Sequence, residues 1–384
     1  MKIALVIERM DPALGGREVY TAQVAAALAR RGHGVAVVCQ TSAWSADGVE
    51  IVVLGRRGRT RRGRLANFVA DAQAALRDRD DDLTHAMLPV PGLDFYQPHG
   101  GTVPGQVAAG LWRRRGLARL VARVGYTFNR VRRLQAGHER QVVADPRICC
   151  LCVSRLVAEE FKVHYGRTEN VRILFNGAET PDPDSPERER WRTARRSELG
   201  ARSGAPVFVC VAANFRRKGV AEMMEAFAAW SASCAEGGDA RLVIVGRTRV
   251  EPYERLAARL GIAAAVRFVP PTSEIFQWYA AADAVVLLSW YDTCGLVLIE
   301  AVRWGIPAVT TRLAGAWEIV SQGAGVVVDS PADTAAAAAA FEALADPARR
   351  AACAEVCRRL APRLTIDRHV DELLAAYAEV TGRD

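Results

Sequence analysis

Apolar residues are gathered into short runs that alternate with stretches of helical periodicity. The first series is "KIALVI", an amphipathic stretch over Glu18 to Arg31, "GVAVVCQ", "VEIVVL", a helical pattern over Asn67 to Asp78, and short strands near Leu83 to Met87 and Phe95 to Gln97. A second series runs "PVFVCVAA", "ARLVIVG", "VRFV", "DAVVLLS", "IPAVTT" and "GVVVD", each followed by a helical stretch. Uninterrupted apolar strands joined by helices predict parallel sheets covered on both faces. Two such series predict an α/β protein with two doubly wound, Rossmann-like domains, residues 1–178 and 205–364, facing across a cleft. The Pro- and charge-rich segment 179–204 reads as a linker carrying a short solvated helix. Residues 365–384 read as a C-terminal helix expected to pack back toward the N-terminal domain.

A chain of 384 residues, half of them hydrophobic, can fill two cores of this size. No apolar run reaches the roughly 20 residues that span a bilayer, and Met1–Lys2 leads straight into a strand. A cytoplasmic protein without a cleaved signal is expected, soluble or peripheral. The nine cysteines and six histidines show no paired C-x-x-C spacing. Cys149, Cys150 and Cys152 read as small buried thiols of a strand, not as zinc ligands. The net charge of +8 points to an anionic partner, without saying which.

Candidate chemistry lies where strands hand over to helices, the usual ligand position in open parallel sheets. Gly15–Gly16 follow the first strand and open a helix, so a ligand could approach bare backbone amides at the positive end of a helix dipole. A plain strand-to-helix turn is an equally good reading, and the G-x-G-x-x-G spacing is absent. In "VAANFRRKGVAEMMEAF" three cations, Arg216, Arg217 and Lys218, crowd ahead of a helix that opens at Gly219. Cations at that end of a helix are unfavourable unless an anion lies among them, which favours a phosphate site. "WYDTCGLVLIEAVRWGIP" repeats the pattern, with Asp292 and Thr293 at an N-cap, Gly295 allowing close approach, and the amides of Leu296 and Val297 open to phosphate oxygens. Alone, Asp292 is an ordinary cap. Glu300 sits inside an apolar helix, where an unpaired carboxylate costs several kcal/mol. A vicinal diol such as ribose would give it two hydroxyl donors. His99 ends "LDFYQPH" before Gly100–Gly101; Asp94 and His85 are further candidates nearby. Asp78 to Asp80 and Asp182 to Asp184 lie in a helix end and a Pro-rich stretch, so no metal site is expected.

The ordered set Gly15–Gly16, His99, "ILFNGAE", Arg217–Lys218–Gly219 and Asp292 to Glu300 resembles the retaining family 4 glycosyltransferases of the GT-B fold. Those enzymes carry two glutamates separated by seven residues; here Asp292 stands first, with seven residues between it and Glu300. "PGLDFY", "RKGV" and the basic segment after His99 are similar to the lipopolysaccharide core α-glucosyltransferases. The resemblance implies transfer of a sugar, glucose from a UDP-linked donor, to a lipid-linked or lipopolysaccharide core glycan. It places Glu300 on the ribose, Asp292 on the donor sugar, and Arg217 and Lys218 on the diphosphate together with amides near Gly16 and Leu296. His99 would lie by sugar and acceptor, and the base by Gly246–Arg247 and Val269–Pro270. The departing phosphate would take the acceptor's proton, with no protein nucleophile, metal or cofactor; the nucleotide-sugar is a co-substrate. Two departures stand out: Asp292 is one methylene shorter than the family's glutamate, and Ala212–Ala213 replaces a common Gly-Arg.

From Phe95 to His138 there is no acidic residue, while Arg113, Arg114, Arg115, Arg119, Arg123, Arg130, Arg132 and Arg133 accumulate around Trp112, Leu117, Leu120, Val121, Val124 and Phe128. Such a basic amphipathic stretch, residues 104–133, suits the anionic cytoplasmic face of an inner membrane, or is a solvated face packed on its own domain. No nucleic-acid recognition module is visible. Two other functions fit the same site: a sugar-nucleotide epimerase, which needs further acid–base carboxylates, and a catalytically silent sugar-nucleotide-binding protein at the membrane.

Overall fold

A computed structural model describes residues 1–114, 116–233 and 238–382. Arg115 of the basic segment lies outside them. The chain divides into two compact units, Met1–Gly177 with Ile366–Asp384, and Ala178–Thr365.

In the first unit the strands of the main sheet are β1 (Lys2–Val6), β2 (Gly34–Cys39), β3 (Val49–Val53), β4 (Leu83–Ala86), β5 (Phe95–Tyr96), β6 (Cys149–Cys152) and β7 (Val171–Ile173). They form one parallel sheet ordered β3-β2-β1-β4-β5-β6-β7. The uninterrupted apolar run of β1 has a simple cause. Ile3 and Leu5 face a core with Tyr20, Val24 and Leu28 of α1 (Gly16–Arg30), while Ala4 and Val6 face another with Phe68 and Val69 of α2 (Arg61–Arg77). With both faces covered, period-two alternation has no polar side to show. The first core is completed by Val370, Leu373 and Tyr377 of the final helix α14 (Ile366–Thr381), which therefore belongs to this unit.

Three helices carry the basic segment: α3 (Val103–Trp112), α4 (Gly116–Phe128) and α5 (Arg130–Ala144), followed by α6 (Arg155–Tyr165). Their base is pinned by buried carboxylates. Glu139 accepts from Tyr96 Oη at 2.7 Å, Val103 N at 2.7 Å and the Tyr165 hydroxyl, and Glu160 accepts from Thr102 N and Oγ1, both at 2.8 Å. Burying a carboxylate is tolerable only when its lone pairs are met in this way.

The second unit holds β8 (Val207–Val211), β9 (Arg241–Val245), β10 (Val266–Val269), β11 (Ala284–Leu287), β12 (Ala308–Thr311) and β13 (Gly325–Val328), parallel and ordered β10-β9-β8-β11-β12-β13. Its helices are α7 (Glu187–Glu198), α8 (Val220–Ser231), α9 (Glu251–Arg259), α10 (Ile275–Ala281), α11 (Leu296–Arg303), α12 (Thr334–Ala345) and α13 (Pro347–Leu360). Both units share the doubly wound order in which the chain reverses direction across the sheet beside its first strand. The reversal falls between β1 and β4 in the first and between β8 and β11 in the second.

Segment 179–204, expected to be a linker with a solvated helix, is folded onto the second unit. Arg192 of α7 reaches the Ala280 carbonyl at 3.0 Å and Asp283 at 2.8 Å, and Arg196 reaches Asp283 at 3.0 Å. Guanidinium groups thus meet the carbonyl end of α10, where positive charge is favoured. The eight described cysteines are buried, and Cys149, Cys150 and Cys152 are three of the four residues of β6.

Candidate active site

At the reversal point of the second unit the loops after β8 and β11 meet. Asn214 turns the first loop, its Oδ1 accepting from Arg217 N at 3.0 Å, and Gly219 closes it with φ +64°. A Cβ on Gly219 would lie 1.9 Å from the Leu288 carbonyl oxygen, so only glycine lets this loop pass so near the end of β11. Trp290 ties the loops from the other side. Its backbone N donates to the Arg217 carbonyl at 3.0 Å, and its indole N–H donates to Glu222 at 2.8 Å.

This packing makes Lys218 and Asp292 an ion pair, both side chains largely buried. Burial pushes the Asp292 carboxyl up, but the Lys218 charge and hydrogen bond, with Arg217 and the Gly295 amide, hold it below the usual carboxylate range. The Asp292 backbone is fixed as well, N to the Leu313 carbonyl at 2.9 Å and carbonyl from Gly315 N at 2.7 Å. Arg216 and Arg217 project into solvent. Next to this pair α11 begins at Gly295, whose φ of +77° and lack of a side chain leave the helix start uncapped. Among the described residues the amides of Leu296 and Val297 meet no acceptor, so they are available to an anion.

Glu300 is on the same helix, partly buried. Its Oε2 accepts from the hydroxyl of Tyr279, a fully buried residue of α10, at 3.0 Å. Burial pushes its carboxyl up to about 7 against the opposing effect of that hydrogen bond. On the other side of β8, Gly246 N donates to the Val269 carbonyl at 3.0 Å, and a Cβ on Gly246 would lie 2.0 Å from the Ala212 carbonyl oxygen. Gly246–Arg247 and Val269–Pro270 are thus neighbouring strand ends, packed against the Ala212–Ala213 loop.

In the first unit Gly15 precedes α1 as an N-cap without a side-chain bond. The first turn holds its own charges: Glu18, paired to Arg17 at 2.6 Å, with its Oε2 3.5 Å from where a Gly15 Cβ would stand. The helix start therefore presents Gly15 and Gly16 beside a carboxylate, which tempers its attraction for anions. His99 packs against Tyr20 of α1, with ring centroids 4.3 Å apart and the planes tilted by 50°. Burial, with His85, Arg17 and His369 near it, holds His99 well below the ordinary histidine range, so the ring is neutral at pH 7. His369 Nδ1 faces the Phe175 carbonyl at 2.9 Å and must carry the proton there. Its Nε2 then accepts from Tyr20 Oη at 2.8 Å, which fixes the ring against which His99 rests.

The two weaker candidates are structural. Asp94 accepts from Thr84 N at 2.8 Å and Thr84 Oγ1 at 2.7 Å, clamping the chain before β5 to β4. His85 is fully buried against the Tyr377 hydroxyl at 2.6 Å, with its pKa pushed down to about 3 by burial. Tyr279, Trp290 and Tyr20 carry no signal in the sequence: Tyr279 and Trp290 adjoin apolar runs and Tyr20 lies on the buried side of a helix, so each reads as core. No three His, Cys, Asp or Glu groups among the described residues stand together as a metal site.

Two family models match complementary parts of the chain, Glycosyltransferase Family 4 over residues 14–181 and Glycosyl transferases group 1 over residues 192–359. The lipopolysaccharide glucosyltransferase WaaG of Escherichia coli K12 is 27% identical over 338 residues, 86% of either chain. A GDP-mannose-dependent alpha-(1-6)-phosphatidylinositol monomannoside mannosyltransferase of Mycolicibacterium smegmatis is 30% identical over 66% of this chain and 68% of its own length. Among solved structures, that of WaaG, a glycosyltransferase involved in lipopolysaccharide biosynthesis, superposes with a TM-score of 0.82 at 24% identity, covering 99% of this chain and all of that one. Doubly wound units with this strand order, two family models over complementary halves and relatives along nearly the whole length converge on one conclusion: the chain is a glycosyltransferase of family 4, with the GT-B fold.

Proposed function

We propose that this enzyme transfers glucose from UDP-glucose to a lipid-linked or lipopolysaccharide core glycan, with retention at the anomeric carbon and without a metal ion. The observation that carries the reading is the cluster at the ends of β8 and β11, where Lys218, Asp292 and the open amides of Leu296 and Val297 adjoin. These groups suit a diphosphate and the sugar attached to it. In the step, the bond from the anomeric carbon to phosphate oxygen breaks and one to the acceptor oxygen forms on the same face. The acceptor's proton passes to the departing phosphate, whose charge Lys218 and Arg217 neutralise; such stabilisation is often the largest catalytic effect. Asp292 faces the sugar hydroxyls, Glu300 the ribose, and Gly246–Arg247 with Val269–Pro270 the base. Amides near Gly15 and Gly16 join those of Leu296 on the diphosphate, and the neutral His99 serves the sugar and acceptor side. The likeness to WaaG supports glucose and a lipopolysaccharide acceptor.

We further propose that the enzyme works as a peripheral protein on the anionic cytoplasmic face of the inner membrane. In support, Leu117, Leu120, Val121, Val124 and Phe128 form one stripe along α4, each 50–75% exposed. At about 100° per residue, Tyr126 falls opposite that stripe. There it enters a notch at Gly110, where a Cβ would lie 2.1 Å from its hydroxyl, and the Arg114 and Arg132 guanidinium groups lie over its ring. The inward side of α4 is thereby fixed, leaving an apolar face with the exposed Arg123 beside it, a combination that suits anionic lipid. No described helix is long and apolar enough to cross a membrane. Incubation with UDP-glucose, with and without acceptor, tests the catalytic reading: it predicts transfer, whereas epimerised sugar or binding alone contradicts it.

A further inference from the structure

Tyr279 lies outside every motif and is fully buried at the end of α10, yet its hydroxyl is aimed at the carboxylate of Glu300. Tyr279 holds one oxygen of that carboxylate, Oε2, at 3.0 Å; among the described residues the carboxylate has no other hydrogen-bond donor. A glutamate on a helix surface has three rotatable side-chain bonds, and one fixed oxygen removes most of that freedom. We propose that Tyr279 is a positioning residue of the nucleotide site: by donating to Oε2 it turns Oε1 outward as the acceptor for the ribose hydroxyls. The proposal rests on the reading of Glu300 as the ribose ligand.

The chemistry is that of a donor held in reserve. A carboxylate has about four lone-pair sites, so one phenol bond leaves capacity for two ribose hydroxyls. A buried phenol with its own pKa pushed well above the usual value by burial and by Glu300 keeps its proton and remains a donor. Arg303, on the same helix, directs its Nε to the Ala178 carbonyl at 2.8 Å, and Cys210 of β8, which acts on Tyr279, is kept neutral by burial. The ionised carboxylate is the stronger acceptor and has no proton of its own to place, so nucleotide affinity rises with pH through about 7. The Tyr279 bond favours the ionised form, and its loss moves that midpoint upward.

The test is isothermal titration across pH 6 to 9. UDP, GDP and ADP are first compared on the wild type, and the one that binds is used in ribo and 2′-deoxy form on wild type, Tyr279→Phe and Glu300→Ala. Tyr279→Phe is expected to weaken the ribonucleotide about tenfold at pH 7, to move its pH midpoint upward, and to shrink the ribo-to-deoxy preference, the 2′-deoxy form, which keeps only its 3′-hydroxyl, losing less. An equal loss for both forms, or wild-type affinity and midpoint while Glu300→Ala loses the ribo preference, overturns the role of Tyr279 and leaves Glu300 as the ribose ligand. A Glu300→Ala variant with the ribo preference intact overturns the ribose reading itself, and the proposal with it.

Discussion

Two carboxylates of this site have opposite environments, and pH separates them. Asp292 is held ionised by Lys218 in spite of its burial, whereas Glu300 has a phenol but no cation and is pushed up to about 7. A carboxyl whose folded pKa is raised contributes stability that is complete below its unfolded value, near 4.5, and lost as pH rises through about 7. Glu300→Gln is therefore expected to raise the melting temperature relative to wild type at pH 8, with the difference shrinking toward pH 5, while nucleotide affinity falls. A gain of the same size at both pH values contradicts the assigned environment. Lys218 has a different signature. Lys218→Ala removes the cation proposed for the leaving phosphate and is expected to lower turnover on the order of 10²–10³-fold. It also leaves Asp292 largely buried without its counter-charge, so some thermal stability goes with it. Near-normal turnover in a folded variant would remove Lys218 from the mechanism.

At the scale of elements, the strands and the loops following them were readable because parallel strands covered on both faces leave continuous apolar runs, and because glycines and clustered charges mark the handover to helices. Gly219 shows how far that goes: its place before α8 is evident in the chain, but its need for positive φ and its approach to Leu288 arise only when β8 and β11 become neighbours. The Lys218–Asp292 pair joins residues 74 positions apart and appeared in sequence as two separate ligands. Tyr279 and Tyr20 carry no pattern that separates a positioning phenol from a core ring. Segment 179–204 misled for a related reason: its charge density suggests solvent, but three arginines of α7, Arg192, Arg195 and Arg196, bind carbonyls or acids of the α10 region. For α4 the expectation is direct. Leu120→Glu with Val124→Glu should abolish co-sedimentation with anionic liposomes at low salt and leave transfer to a soluble acceptor unchanged. Undiminished binding of that double variant, or no binding of the wild type, contradicts membrane attachment.

At the scale of the whole chain, two units with doubly wound sheets carry different features, with the Lys218 and Asp292 loops in the second and the basic helices with their exposed apolar stripe in the first. Membership in family 4 fixes the reaction class, and the central claim beyond it is the donor and the stereochemistry. Proton NMR of the product formed from UDP-glucose and a lipopolysaccharide core acceptor reads both at once. The account predicts a new glucosyl anomeric proton with the small coupling of an α-linkage, in the absence of added metal. A β-linked product, transfer that requires a divalent cation, or turnover with a GDP- or ADP-sugar in place of UDP-glucose would contradict it.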